Sequence, residues 1–177
     1  DPAGDSDSSD RTVIALRRGR VLEKVIVYSR MQPMRLASII VEDVIKKMGA
    51  ERVFVDRGYG EGTIDRAKQL GFGKQVIGVH FGEGSLWPEQ YLNKRTEIIM
   101  RTAEWMNDGG VKIPDDDDIS ADLSIMPMEE ETANGVKYIK TKKEIKKLLG
   151  RSPDIYDAIA LTFAYPYNGQ GGTAVTR

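Results

Sequence analysis

Short apolar segments alternate with helical segments through the middle of this sequence, and that alternation constrains the fold more than any other feature. Arg52–Val55 is a short apolar segment of the buried-strand kind, and Gln75–Phe81 is a second predicted strand. Helical spacing is found before the first strand over Met34–Met48, between the strands over Thr63–Leu70, and after them over Lys94–Asn107. This order predicts a sheet with helices on its faces.

Two hairpins are predicted on either side of that section. Arg11–Leu16 and Val21–Tyr28 form the first, because two β-rich segments are joined there by a short turn. Asp122–Glu130 and Gly135–Lys140 form the second, around an Asn-Gly pair that is typical of tight hairpin turns.

Two helices follow the second hairpin. Thr141 is placed to cap a Lys-rich helix that ends at Gly150, and a strongly apolar helix covers Asp154–Ala164. The last segment, 166–177, is rich in glycine and polar residues, so it is predicted to be a flexible C-terminal tail behind a single domain over 1–165.

The composition excludes several kinds of chemistry. The sequence has no cysteine and only one histidine, His80, which excludes disulfides, thiolate metal sites and multi-histidine zinc sites. It contains no Walker A motif and no apolar segment long enough to span a bilayer. Any catalysis must therefore come from carboxylates, lysines or a bound ion.

Three acidic residues occupy positions where an acid is informative. Asp56 directly follows the apolar strand, at the end where open sheets place ligand sites, and a predicted tight loop with glycines at 58, 60 and 62 comes after it. Asp154 and Asp157 are three residues apart at the start of the apolar helix, so they share one face. Carboxylates on a buried helix are costly unless they are paired or bound to metal.

These carboxylates suit a hard divalent cation, which prefers oxygen ligands. Two such ions can activate a water molecule and stabilise the leaving oxygen in phosphodiester cleavage. Residue types and spacing leave simpler interpretations open. Asp56 could cap the turn after its strand, Asp154 could be an ordinary first-turn acid, and Asp157 could pack against neighbouring backbone.

Positive charge is concentrated near the end of the sequence, between residues 137 and 151. A segregated basic stretch can contact phosphates even though the formal net charge of the chain is only −1. The alternative is a solvated helix face.

Four segments resemble the nuclease domain of the large terminases of tailed bacteriophages. Val53–Asp65 (VFVDRGYGEGTID) is similar to the second motif of that family, and Lys142–Phe163, with its RSPD turn and DAIALTF helix, is similar to the closing stretch. Asn93–Trp105 looks like the intervening helix, and Asp1–Gly4 looks like the end of the first motif.

The resemblance implies an RNase H-like (RuvC/resolvase-like) α/β fold, with a mixed central sheet, flanking helices and an extra β-hairpin. Because the family's first strand precedes its first aspartate, the resemblance predicts a truncated first strand here. It implies an endonuclease that cuts concatemeric viral double-stranded DNA during packaging, with two Mg²⁺ or Mn²⁺ ions. The implied catalytic metal ligands are Asp1, Asp56, Asp154 and Asp157. Asp5, Asp7 and Asp10 are the alternatives to Asp1, either as substitute ligands or as outer-shell acids.

The resemblance also implies DNA contacts and partners. The candidate DNA-binding residues are Arg57, Lys94, Arg95, Lys137, Lys140, Lys143 and Arg151. The expected partners are double-stranded DNA, an N-terminal ATPase domain of the same parent chain, the portal and the small terminase subunit, with no membrane, in the host bacterial cytoplasm. A RuvC-like junction resolvase and a non-enzymatic DNA- or portal-docking domain are the alternatives.

Overall fold

The computed structural model describes residues 11–29, 31–125 and 128–166, together with the backbone of residues 172–176. The strands are β1 (Thr12–Arg18), β2 (Val21–Tyr28), β3 (Val53–Asp56), β4 (Val76–Val79), β5 (Glu129–Glu131), β6 (Lys137–Ile139) and β7 (Gly172–Thr176). Five of them form one mixed sheet in the order β2-β1-β7-β3-β4, and β5 pairs with β6 as a separate hairpin.

Six α-helices flank or extend these sheets within the described residues. They are α1 (Pro33–Ile39), α2 (Arg57–Gln69), α3 (Lys94–Asn107), α4 (Asp117–Ile125), α5 (Lys142–Leu149) and α6 (Asp154–Leu161). A π-helical segment, Ile40–Lys47, continues α1. None of the helices within these residues has the length and apolar character needed to cross a bilayer.

Strand directions bring several chain segments to one edge of the main sheet. β3 is parallel to both β4 and β7, whereas β1 is antiparallel to β2 and β7. Asp56 pairs with Val79, Val55 pairs with Val175, and Thr176 pairs with Val13. The ends of β3, β4 and β7 therefore lie level with the beginning of β1, and we call this side of the sheet the carboxyl edge.

Helices cover both faces of the sheet, as the alternation of strands and helices predicts. Alternate residues of β1 point to opposite faces, so Val13 belongs to one apolar core and Ile14 to the other. The first core is completed by α3 and α6, and the second by α1, the π-helical segment and α2. The layered α/β architecture is confirmed.

The predicted glycine loop after Asp56 is wrong, because α2 begins at Arg57 and includes the glycines. Packing explains why these glycines are compatible with a helix here. A Cβ on Gly60 would overlap with Cγ1 of Val55, so the missing side chain lets α2 lie close against β3. The sequence pattern indicated a flexible glycine loop, whereas in the structure Gly60 is needed because its small size allows close packing of the helix.

Two other segments differ from the sequence prediction. Asp122 lies in α4 and not in a strand, so the second hairpin is shorter than expected and turns at Gly135, whose φ of 77° favours glycine. Residues 172–176, predicted as part of a flexible tail, form β7 at the centre of the sheet. β7 pairs on both sides, so its backbone groups are satisfied by β1 and β3, a long-range arrangement that local composition does not reveal.

Candidate metal and nucleic-acid site

Asp56 is the last residue of β3 and lies at the carboxyl edge with only 7% of its surface exposed. Its Oδ1 accepts a hydrogen bond of 2.9 Å from the backbone N–H of Gly58, so Asp56 is also the N-cap of α2. The interpretation of Asp56 as a cap is therefore confirmed. The cap also fixes the direction of this carboxylate at the start of α2.

Asp154 and Asp157 occupy the first turn of α6 and are 5% and 1% exposed. Asp154 Oδ2 lies 3.5 Å from Nε of Arg11, which immediately precedes β1. Because the beginning of β1 lies at the carboxyl edge, this ion pair places Asp154 at the same edge as Asp56.

A second arginine connects Asp157 to that edge. Arg95 follows β4 at the start of α3, where its backbone N–H donates to the carbonyl of Phe81. Its Nη2 lies 3.7 Å from Oδ1 of Asp157, and its Nη1 donates a 2.9 Å hydrogen bond to the carbonyl of Lys140. Arg95 therefore joins α3, α6 and the chain between β6 and α5.

Asp122 is an additional site residue that the sequence prediction missed. Its carboxylate is 1% exposed and accepts hydrogen bonds from the backbone N–H groups of Ile155 and Tyr156, at 3.0 and 3.3 Å. It also forms an ion pair with Arg151. One signal was available, because the N-cap of α6 is Pro153, which offers no side-chain acceptor, so the cap had to come from elsewhere.

Three acids and three arginines thus surround the first turn of α6. The pairs are Asp122 with Arg151, Asp154 with Arg11, and Asp157 with Arg95. Formal charge is balanced, which lowers the large cost of burying carboxylates side by side. Burial, and after it the charge of Asp157, raises the pKa of the Tyr156 hydroxyl.

The described carboxylates suit a hard divalent cation by donor type, and they lie at one edge of the sheet. Asp56, Asp154 and Asp157 are buried oxygen donors at the carboxyl edge, where Mg²⁺ and Mn²⁺ would find the ligands they prefer. Within the described residues, no group of three or more acidic or histidine side chains is close enough to enclose a metal ion. Asp1, the remaining predicted ligand, lies outside those residues.

Lys94 does not belong to a DNA-binding surface. Its side chain is 1% exposed, and its Nζ donates to both carboxylate oxygens of Glu97 and to the carbonyl of Ala164. Glu97 in turn accepts hydrogen bonds from Ser85 and from the backbone of Leu86. Lys94 is therefore part of a buried ion pair that holds the loop after β4 against α3.

The other basic candidates lie in three settings. Lys143 is exposed on α5, and Arg57 is exposed at the start of α2, 3.8 Å from Glu61. Lys137 and Lys140 lie on and just after β6, where they form ion pairs with glutamates of β5.

The hydrogen bond from Lys140 to Glu130 lowers the pKa of the Glu130 carboxyl and raises the pKa of Lys140. Arg151 is 30% exposed and is held by Asp122.

Comparison with known proteins places the fold. No family model matches the sequence, and no curated protein matches it significantly. The nuclease domain of the large terminase subunit gp2 of bacterial virus Sf6 has a TM-score of 0.67 and 18% identity, covering 92% of this chain and 86% of that chain.

Two further structures give the same result. A mutant of that Sf6 nuclease domain with manganese and beta-thujaplicinol has a TM-score of 0.65 and 18% identity, covering 92% of this chain and 86% of that chain. A mutant gp2c of the bacteriophage Sf6 large terminase subunit with calcium has a TM-score of 0.64 and 19% identity, covering 86% and 81%. This chain therefore has the RNase H-like fold of the large terminase nuclease domain.

Proposed function

We propose that this chain is a metal-dependent endodeoxyribonuclease domain that cleaves concatemeric viral double-stranded DNA during genome packaging. One observation carries the proposal: Asp56 at the end of β3 and Asp154 and Asp157 at the start of α6 are buried carboxylates at the same edge of the sheet. The fold adds support, because the similar Sf6 domains are nuclease domains of a large terminase and were solved with manganese or calcium.

Asp56, Asp154 and Asp157 would hold Mg²⁺ or Mn²⁺, with Asp1 as the further ligand and two ions in the complete site. When bound, such ions supply a nucleophile at neutral pH and neutralise charge on the reacting phosphate. The protein contributes the rigid placement of the ligands. Asp56 is fixed as the cap of α2, and α6 is fixed by the cap from Asp122.

DNA would approach the carboxyl edge from the side of the β5–β6 hairpin and α5. Lys140 and Lys143 lie there, and Arg95 reaches the backbone carbonyl of Lys140. Lysine and arginine side chains of this kind contact phosphates and not base edges, so cleavage with little sequence preference is expected. In the cell, the partners would be the ATPase domain of the parent chain, the portal and the small terminase subunit, in the host cytoplasm.

Plasmid cleavage in Mn²⁺ tests this function. We expect Asp56→Ala, Asp154→Asn and Asp157→Asn each to lower the rate strongly. Asp65→Ala is the matched control, because Asp65 is an exposed aspartate of α2 that forms an ion pair with Lys68. Metal-dependent cleavage that survives Asp56→Ala would overturn the assignment.

Two measurements separate the alternatives. Strong preference for four-way junctions over linear duplex would indicate a junction resolvase on the same fold. Failure of the folded protein to bind Mn²⁺ in calorimetric titration would favour a non-enzymatic DNA- or portal-docking domain.

A further inference from the structure

Arg95 has donor groups that are buried but unused. Its side chain is 11% exposed, and only Nη1 donates a hydrogen bond, to the carbonyl of Lys140. Within the described residues, Nε and Nη2 are buried and make no hydrogen bond. Leaving buried charged donors unsatisfied is costly, so a site that retains them indicates an acceptor that arrives with a ligand.

The contact between Arg95 and Asp157 differs from the neighbouring pair of Arg151 and Asp122. Asp122 is locked in place, because two backbone N–H groups of α6 and the guanidinium of Arg151 bind its carboxylate. Arg95 approaches Asp157 only to 3.7 Å, an ion pair without hydrogen-bond geometry. The pair of Asp122 and Arg151 is therefore structural. The pair of Arg95 and Asp157 balances charge without a hydrogen bond that fixes the two side chains to each other.

We propose that Arg95 serves two states of the site. Without a divalent cation, Arg95 neutralises Asp157. When a cation binds Asp157, the Arg95 side chain turns its Nε and Nη2 donors toward the nonbridging oxygens of a DNA phosphate. This inference rests on the proposed function, because it requires both a cation at Asp157 and a phosphodiester at the carboxyl edge.

The geometry favours a phosphate as the second partner. Nε and Nη2 are neighbouring donors on one side of the planar guanidinium, and this pair binds two oxygens of an oxyanion side by side. The bond from Nη1 to Lys140 holds the group at the point where α6 meets the chain leading into α5. We expect rotation of the guanidinium about this anchor to exchange the carboxylate for a phosphate.

Such an exchange would couple metal binding to DNA binding. A cation that takes over Asp157 releases the positive charge of Arg95 for the DNA, so each ligand strengthens the binding of the other. Conversely, the guanidinium opposes cation binding as long as no DNA is present, since two positive groups compete for one carboxylate.

Two binding measurements on the whole chain test this exchange without relying on cleavage. Mn²⁺ affinity is measured by calorimetry without DNA, and affinity for a short linear duplex is measured by fluorescence anisotropy in Ca²⁺ and in EDTA at equal ionic strength. For Arg95→Gln we expect Mn²⁺ to bind about tenfold more tightly, because a competing positive charge is gone. We also expect most of the increase in DNA affinity caused by Ca²⁺ to disappear.

Arg95→Lys provides the second variant and separates charge from geometry. It keeps the positive charge, so Mn²⁺ affinity stays within about twofold of the original, but it lacks the paired donors and loses the Ca²⁺-dependent gain in DNA affinity. Arg101→Gln is the control, because Arg101 lies on the same helix, donates to the carbonyl of Phe163 and contacts Trp87. Neither affinity changes in that variant.

The outcomes distinguish this inference from the function on which it rests. If the unaltered protein binds no Mn²⁺, the proposed function fails and the exchange fails with it. If it binds Mn²⁺ and cleaves DNA, but Arg95→Gln weakens Mn²⁺ binding or leaves it unchanged, only the exchange is overturned. Should Arg95→Gln not fold, an undiminished Ca²⁺-dependent gain in Arg95→Lys overturns the exchange equally.

Discussion

Asp122 caps the helix that contains Ile155, although the two residues lie in different segments of the chain. The Oδ2 atom of Asp122 accepts a 3.0 Å hydrogen bond from the backbone N–H of Ile155. Asp122 belongs to α4, whereas Ile155 is the second residue of α6. A buried acid from one helix therefore stabilises the amino terminus of the helix that carries Asp154 and Asp157. The position of these two candidate ligands depends on this contact between segments.

Replacing Asp122 should destabilise the protein more than a surface change of the same kind. Asp122→Ala removes a cap to two N–H groups and leaves Arg151 without its carboxylate, so we expect a loss of about 2–4 kcal/mol in the free energy of unfolding. Urea denaturation measures this loss. Asp118→Ala, on the exposed side of the same helix, should change it by less than about 0.5 kcal/mol.

Removing Lys94 should affect stability and leave DNA affinity unchanged. Lys94→Ala leaves the fully buried carboxylate of Glu97 without its cation, which we expect to cost about 3–5 kcal/mol of unfolding free energy. Anisotropy with duplex DNA, at a temperature where the variant remains folded, should match the unaltered protein. A lower DNA affinity of the folded variant would contradict this prediction and would indicate that Lys94 contributes to DNA binding.

Gly60→Ala should disturb the contact between α2 and β3. The added Cβ would overlap with Cγ1 of Val55, so we expect a loss of about 1–3 kcal/mol despite the higher helix propensity of alanine. The double variant Gly60→Ala with Val55→Ala should cost less than the sum of its single changes, because removing Cγ1 provides the space. Gly84→Ala is the control, since a Cβ there meets nothing within 4 Å.

Tyr165 should contribute to loss of stability at alkaline pH. Burial and then the hydrogen bond to Glu83 raise the pKa of its hydroxyl from 10.0 to about 12. A group with a raised pKa in the folded state contributes stability that is fully present below the unfolded pKa and is lost as pH rises to the folded value. The contribution of Tyr165 is therefore present below pH 10 and disappears between about pH 10 and 12.

Urea midpoints measured from pH 9 upward test this behaviour. Tyr165→Phe should show a shallower decline between about pH 10 and 12 than the unaltered protein. Tyr59→Phe, at an exposed ring, should decline as the unaltered protein does. An unchanged slope in Tyr165→Phe would contradict the assigned role of this hydroxyl.

The sequence by itself determined the local framework. Apolar periodicity predicted the strand that leads to Asp56, the helix from Lys94 to Asn107 and the helix starting at Asp154, and all three elements are confirmed. The α/β class followed from the order of these elements. Such features depend on spacing within about 15 residues, which a single sequence shows directly.

Only the tertiary structure decided which charges meet and which are hidden. The cap from Asp122, the ion pairs of Arg11 and Arg95, and the position of β7 join segments that are far apart in the chain, and no local pattern encodes such contacts. Lys94 illustrates the physical reason. Its sequence context is that of a solvated lysine at a helix start, but its burial is set by Glu97 and by the packing of α3 against the rest of the core.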